Sequence, residues 1–164
     1  MKTKIKRKDI VLGFLAVTLV SIFIIGYPEF GRKNYTPHSA PSVTIKYDGE
    51  KISTKIGFHT WFYSDTSGGN SYLAPDSYEL GNTVSSTIVK ANTTMEIFFK
   101  SAPPKMILNC WEVGNSEIKQ TTEFDSSKKY TITLPNDKKE YIFEVMGYWK
   151  SYNYTSTIFK VKVE

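Results

Sequence analysis

Ile10 to Tyr27 is a run of 18 residues without a charge, IVLGFLAVTLVSIFIIGY. Twelve of them are Ile, Leu, Val or Phe. As a helix rising 1.5 Å per residue the run is about 27 Å long, close to a hydrocarbon core of roughly 30 Å. Each central Leu, Ile, Val or Phe favours insertion by roughly 0.3–0.6 kcal/mol, which outweighs Thr18, Ser21 and the two glycines. In water a helix apolar on every side would need a partner all round. The feature therefore predicts a membrane anchor. A cleavable signal peptide is the competing reading, but the run ends Ile25-Gly26-Tyr27-Pro28 without the small-residue site that cleavage needs. No Cys stands near its end, which excludes lipoprotein processing.

The anchor explains the charge of the chain. Formal net charge is +5 over 164 residues, a balance that suggests nucleic-acid binding. Lys2, Lys4, Lys6, Arg7 and Lys8 precede the run, opposed only by Asp9. The remaining 155 residues carry 16 basic and 15 acidic side chains. The basic excess is local and follows the positive-inside rule, so no nucleic-acid partner is expected. It places residues 1–9 in the cytoplasm as a tail too short to fold, and residues 28–164 outside the cell.

Residues 28–41 contain three prolines and no apolar periodicity, and are expected to be a linker of at most about 50 Å. From Ser42 the apolar period is two. Val43, Ile45 and Tyr47 alternate with polar residues, and Asp48-Gly49 predicts a tight turn into a return strand from Lys51 to Tyr63. Residues 64–82 are expected to be a loop with one short strand. Further strands are expected at 84–90, 94–100, 105–113, 118–124, 129–134, 140–149 and 154–163. No segment beyond residue 28 shows a helical stripe. Strands recurring about every ten residues predict an all-β sandwich at 42–164. One Cys and two His supply neither a disulfide framework nor a zinc signature. No cofactor is expected.

Leu134-Pro135-Asn136-Asp137, followed by Tyr141-Ile142-Phe143, resembles the tyrosine corner of immunoglobulin-type domains. The resemblance implies an immunoglobulin-like core at 84–164, with the hairpin 43–63 as an N-terminal addition. It implies that the Tyr141 hydroxyl turns back to an upstream backbone group, and that Trp111 is the Trp such domains bury. Phe143 stands where the second disulfide Cys would be, so the bridge is absent.

A second resemblance covers most of the exterior part. It rests on Gly57-Phe58-His59-Thr60-Trp61, on Pro104 through Leu108 to Trp111, on Tyr141-x-Phe143-x-Val145-x-x-x-Trp149, and on Phe159-x-Val161-x-Val163. This looks like a pattern in many small secreted or membrane-anchored proteins of low-GC Gram-positive bacteria. Lys outnumbers Arg 19 to 2, which suits an AT-rich genome. The resemblance implies location and fold, and carries over no functional residue.

Catalytic sets are hard to assemble from this sequence. Met106-Ile107-Leu108-Asn109-Cys110 superficially resembles the nucleophile strand of sortase-like transpeptidases, with His59 upstream. The family's downstream Arg has no counterpart, because Arg7 and Arg32 both precede Cys110. No G-x-S-x-G is present. Asp65-Thr66-Ser67-Gly68-Gly69-Asn70 has oxygen ligands but lacks the closing acid of a calcium loop. Asn34, Asn92 and Asn153 fit the glycosylation acceptor pattern, which has no meaning in a bacterium. The chain is therefore expected not to be an enzyme.

What remains is aromatic. Tyr148, Trp149, Tyr152 and Tyr154 surround the last hairpin, with Tyr148 and Trp149 on opposite faces, and Tyr72 and Tyr78 sit in the long loop. Tyr72, Tyr78, Trp149, Tyr152 and Tyr154 are the candidate partner surface. The sequence predicts a membrane-tethered, non-enzymatic extracytoplasmic binding module whose partners are the bilayer and a cell-envelope protein or glycan. The alternative is a structural accessory of an envelope complex acting through its transmembrane helix. An envelope hydrolase or transpeptidase ranks third.

Overall fold

The computed structural model describes residues 39–62, 68–149 and 152–164. The expected tail, anchor and most of the linker lie outside these residues. Among the described residues no helix is long and apolar enough to cross a membrane.

The chain from Ser42 onward is a β-sandwich. The elements are β1 (Val43–Tyr47), β2 (Glu50–Lys51), β3 (Lys55–Phe62), β4 (Gly69–Tyr72), α1 (Ser77–Asn82), β5 (Thr87–Val89), β6 (Thr94–Phe99), β7 (Lys105–Glu112), β8 (Gln120–Asp125), β9 (Lys129–Thr133), β10 (Glu140–Tyr148) and β11 (Tyr154–Val163). The smaller sheet has the order β2-β1-β6-β9. The larger runs β4-β3-β11-β10-β7-β8, and β5 pairs in parallel with the far end of β11.

The β1–β2 turn forms as the sequence predicts. Asp48 and Gly49 both have positive φ, 50° and 81°, which the type I′ turn requires and Gly accepts without strain. The expected hairpin at 43–63 does not stay together, however. The return strand ends after two residues, and β3 crosses to the other sheet to pair with β11. The two halves of the predicted addition thus belong to different sheets. Gly57 and Trp61 on β3 are buried, and only joining the larger sheet covers them.

Alternation along the strands fills the space between the sheets. Ile45, Met95, Ile97, Phe99 and Ile132 come from the smaller sheet. Leu108, Cys110, Phe143, Val145 and Phe159 come from the larger one. The rings of Phe143 and Phe159 stack at 5.0 Å across a directly paired position. Full burial of one such side chain contributes roughly 1.5–3 kcal/mol.

A second, smaller cluster lies on the outer face of the larger sheet. Trp111, Ile142 and Ile158 are covered there by Val84 and, more loosely, by Tyr78 and Leu80 of the α1 region. Helix α1 was not foreseen in the loop. Its signal is Asp76 with Glu79 three residues on, a capping-box spacing. The Asp76 carboxylate accepts from the backbone N–H of Tyr78 at 2.9 Å and of Glu79 at 3.4 Å. Gly81 lets the helix lie flat on the sheet, since a Cβ there would stand 2.3 Å from Ile142 Cγ2.

Two implications of the tyrosine-corner resemblance are corrected. Trp111 is buried under α1 and not between the sheets, because alternation gives the inward position to Cys110. The Tyr141 hydroxyl is buried and has no hydrogen-bond partner among the described residues. Asp137 points outward and stands 4.0 Å from the Lys119 ammonium. That ammonium also lies over the Tyr141 ring, 5.0 Å from its centroid.

Candidate functional site

The outer face of the larger sheet divides into three zones along β10. At one end Ile142 is sealed by the second cluster. In the middle lies Glu144, 6% exposed. Ser77 and Ser156 each donate a hydroxyl hydrogen bond to its Oε1 at 2.6 Å. Asn109 Nδ2 donates to Oε2 at 3.1 Å. Thr121 in turn donates to Asn109 Oδ1 at 2.9 Å. A buried carboxylate is tolerated only when satisfied in this way. The network ties the first residue of α1 to four strands of the sheet, β7, β8, β10 and β11.

The third zone carries rings. Tyr148 pairs directly with Tyr154, and Tyr154 with Thr60, so all three point to the outer face. Phe58, two residues before Thr60, stacks on Tyr154 at 5.3 Å and 30°. Tyr148 lies 5.9 Å from Tyr154 at 31°. Phe58, Tyr154 and Tyr148 therefore form a ladder across β3, β11 and β10, each half-buried. The Thr60 hydroxyl donates to Tyr154 Oη at 3.4 Å and lies 3.2 Å from Ser71 Oγ. Burial, and secondly the Glu144 carboxylate, push the Tyr148 phenol up from its usual pKa. Its hydroxyl thus stays a donor, now directed to Met146 Sδ at 3.6 Å.

The five predicted surface residues do not converge. Tyr154 is in the ladder. Tyr152 is in the adjoining β10–β11 loop, 73% exposed. Tyr72, on edge strand β4, stacks on His59 at 5.6 Å, on the side of β3 opposite Thr60. Tyr78 covers the second cluster, and its hydroxyl accepts from the Gly114 N–H at 2.9 Å. Trp149 turns inward onto Trp61 at 5.2 Å and Phe99 at 5.9 Å. Phe58 was missed as a site residue. Its signal was alternation with Trp61, which reads only once β3 is known to join β11.

The candidate nucleophile is not assembled. Cys110 is buried, and burial pushes its thiol up to about 12, far from the thiolate a nucleophile needs at neutral pH. His59 sits on β3, three strand positions away from β7 in the same sheet, a distance of about 14 Å. Asp65, Thr66 and Ser67 lie outside the described residues. Among those described, no group of three or more His, Cys, Asp or Glu is placed to hold a metal ion.

No protein-family model matches the sequence, and no curated protein matches it. Several solved structures are similar to it. A lytic polysaccharide monooxygenase from Jonesia denitrificans is 15% identical with a TM-score of 0.38, over 50% of this chain and 60% of that one. The catalytic domain of such a monooxygenase from Listeria monocytogenes is 14% identical with a TM-score of 0.39, over 49% of this chain and 61% of that one. A chitin-binding domain from Burkholderia pseudomallei is 8% identical with a TM-score of 0.39, over 88% of this chain and 93% of that one. The chain spans about three fifths of the length of the two monooxygenases.

These findings correct one expectation. The sequence reading set catalysis aside, yet proteins similar to this chain are enzymes, so the reading as a non-enzyme is withdrawn. Linear motifs alone carried it, and such motifs do not register a site that folding assembles from distant residues. At these TM-scores the likeness assigns no activity, substrate or ligand to this chain.

Proposed function

We propose that this chain is a single-pass membrane protein, anchored by residues 10–27, whose exterior β-sandwich binds a protein partner through the Phe58–Tyr154–Tyr148 ladder. The uncharged run and the lysines before it support the anchor and its orientation. The strand order β1-β6-β9 facing β11-β10-β7-β8 supports an immunoglobulin-like arrangement of the sandwich.

One observation carries the binding reading. The protein seals one end of this outer face with α1, yet at the other end leaves three stacked aromatic rings half-buried, beside exposed Phe62 and Tyr152. Aromatic rings with a polar tip are favoured where a partner covers them. A protein suits the geometry better than a glycan. Rings on neighbouring strands, 5.3 and 5.9 Å apart, cover one another's faces. They present edges and hydroxyls, whereas a sugar ring stacks on a free face.

Photocrosslinking in intact Gram-positive cells tests this, with benzoylphenylalanine in place of Tyr152. The expected result is a specific protein adduct, identified by mass spectrometry, that disappears in a Tyr148→Ser/Tyr154→Ser variant of unchanged membrane abundance. Adducts to glycan alone, or adducts indifferent to the double substitution, would overturn the proposal. Protease added to intact cells should remove residues 42–164 while the anchor segment stays in the membrane fraction.

A further inference from the structure

The sandwich is open along one flank. Among the described residues, β8 ends the larger sheet with β7 as its partner, and β9 ends the smaller sheet with β6 as its partner. Between these two edges runs a cleft of about 570 Å³, within the range of ligand-binding clefts. Its floor is the intersheet core itself, at Leu108, Cys110 and Phe143. Its rims carry Thr122 on β8 and Thr131 and Thr133 on β9.

The hydrogen-bond phase of β9 shows which backbone groups face this cleft. Leu134 donates its N–H to Thr93 O at 2.9 Å, and Phe99 donates to Lys128 O at 2.9 Å. Both pairs belong to the β6–β9 register, in which Thr94 lies opposite Thr133 and Phe98 opposite Lys129. Bonded and non-bonded pairs alternate in an antiparallel ladder. Residues 128, 130, 132 and 134 therefore bond to β6. Lys129, Thr131 and Thr133 turn their N–H and C=O groups away from β6; the Ser127 hydroxyl takes both Lys129 groups, at 3.2 and 2.7 Å, and those of Thr131 and Thr133 face the open flank. An unpaired row of this kind is a template for another strand.

We propose that this cleft receives an extended, uncharged peptide strand from a partner protein. The strand pairs with the free edge of β9 and lays alternate apolar side chains on Leu108, Cys110 and Phe143. Charge selects the occupant. Among the described residues lining the cleft only Lys119 and Asp137 are charged; they stand 4.0 Å apart, and Lys119 is also held by Glu112 at 3.3 Å. A charged side chain farther in would be desolvated without a partner. Width selects a strand over a helix. Packed sheets are about 10 Å apart, which admits one layer of side chains from a strand, whereas a helix is about 10–12 Å across. The inference is independent of the aromatic ladder, which lies on the outward face of β3, β11 and β10.

The test uses the full chain, ¹⁵N-labelled, in detergent micelles. The probe is the blocked heptapeptide acetyl-Thr-Val-Thr-Val-Thr-Val-Thr-amide at millimolar concentration. The expected result is a shift of the Thr131 and Thr133 amide resonances with at least tenfold slower hydrogen exchange at both. The same peptide with Lys in place of Val should leave them unchanged. Thr131→Pro should abolish the effect, because it removes a free-edge N–H that β6 does not use. Thr122→Lys, which leaves β9 intact and charges the opposite rim, should abolish it too, and keeps the test decisive if the proline variant fails to fold. The proposal is overturned if the peptide leaves both amides unchanged or perturbs Phe58 and Tyr148 instead. It is equally overturned if Thr131 and Thr133 become protected without peptide as the protein is concentrated, which would make a second copy the occupant.

Discussion

Glu144→Ala should be the most damaging single polar substitution on the outer face. Glu144 accepts three hydrogen bonds, two at 2.6 Å from Ser77 and Ser156 and one at 3.1 Å from Asn109. Ser156 and Asn109 are 1% and 9% exposed, so neither finds water when the carboxylate is removed. Ser77 is half-buried and does. Each buried donor left unsatisfied costs about 1–3 kcal/mol. Two such donors, sharing one acceptor and so not strictly additive, give a loss of about 3–4 kcal/mol. For a domain of this size that lowers Tm by roughly 10–15 °C. Glu144→Gln retains one oxygen for both serines and sets an amide against Asn109. Turning the Asn109 amide over relieves the conflict, because the Thr121 hydroxyl can accept as well as donate. That variant should lose only about 1 kcal/mol. The assay is a near-ultraviolet circular dichroism melt of the full chain in micelles. Amide exchange at Leu80 and Thr83, whose N–H groups close the turns of α1, should quicken in the Ala variant first. An Ala variant within about 1 kcal/mol of the parent, or a Gln variant as damaged as Ala, would refute the account.

Trp149→Ala should cost about 3–5 kcal/mol, since the ring packs inward on Trp61 and Phe99. Tyr152→Ala, at a site 73% exposed, should change stability by less than about 0.5 kcal/mol in the same melt. Asp76→Ala should cost about 1 kcal/mol through loss of the α1 cap, read by faster exchange at the amides of Tyr78 and Glu79. Cys110 should resist iodoacetamide at pH 8 in the folded chain and react promptly in 8 M urea. Its folded pKa of about 12 lies above the ordinary thiol value. The folded state therefore holds the proton longer, so this stabilisation is complete below the ordinary thiol pKa and is lost as pH rises toward 12. Prompt native labelling at pH 8 would show that burial does not keep the thiol protonated.

Much of the strand pattern was legible because alternation is a property of neighbouring residues. The expected strands at 94–100, 105–113, 129–134, 140–149 and 154–163 appear at 94–99, 105–112, 129–133, 140–148 and 154–163. The five-residue surface was less legible. Parity placed Tyr148 and Trp149 on opposite sides, but it could not say that Phe58 would complete the row. Helix α1 went unread although Asp76 and Glu79 advertise its start, because six residues are too few to show an apolar stripe.

The sequence by itself determined the uncharged 18-residue run, the cluster of lysines before it, the Asp48-Gly49 turn and the period of two that makes residues 42–164 a sheet protein. Each of these depends on residues within a few positions of one another. Tertiary structure alone decided that β1 and β3 part into different sheets and that Cys110 rather than Trp111 faces the core. It also brought Ser77 and Asn109 to Glu144 and, among the described residues, left β8 and β9 without outer partners. Those outcomes depend on which strands meet across nearly a hundred residues, as Tyr154 meets Thr60. Local alternation tells a strand which side chains share a face, but only the competition among all strands for burial tells that face what it will meet.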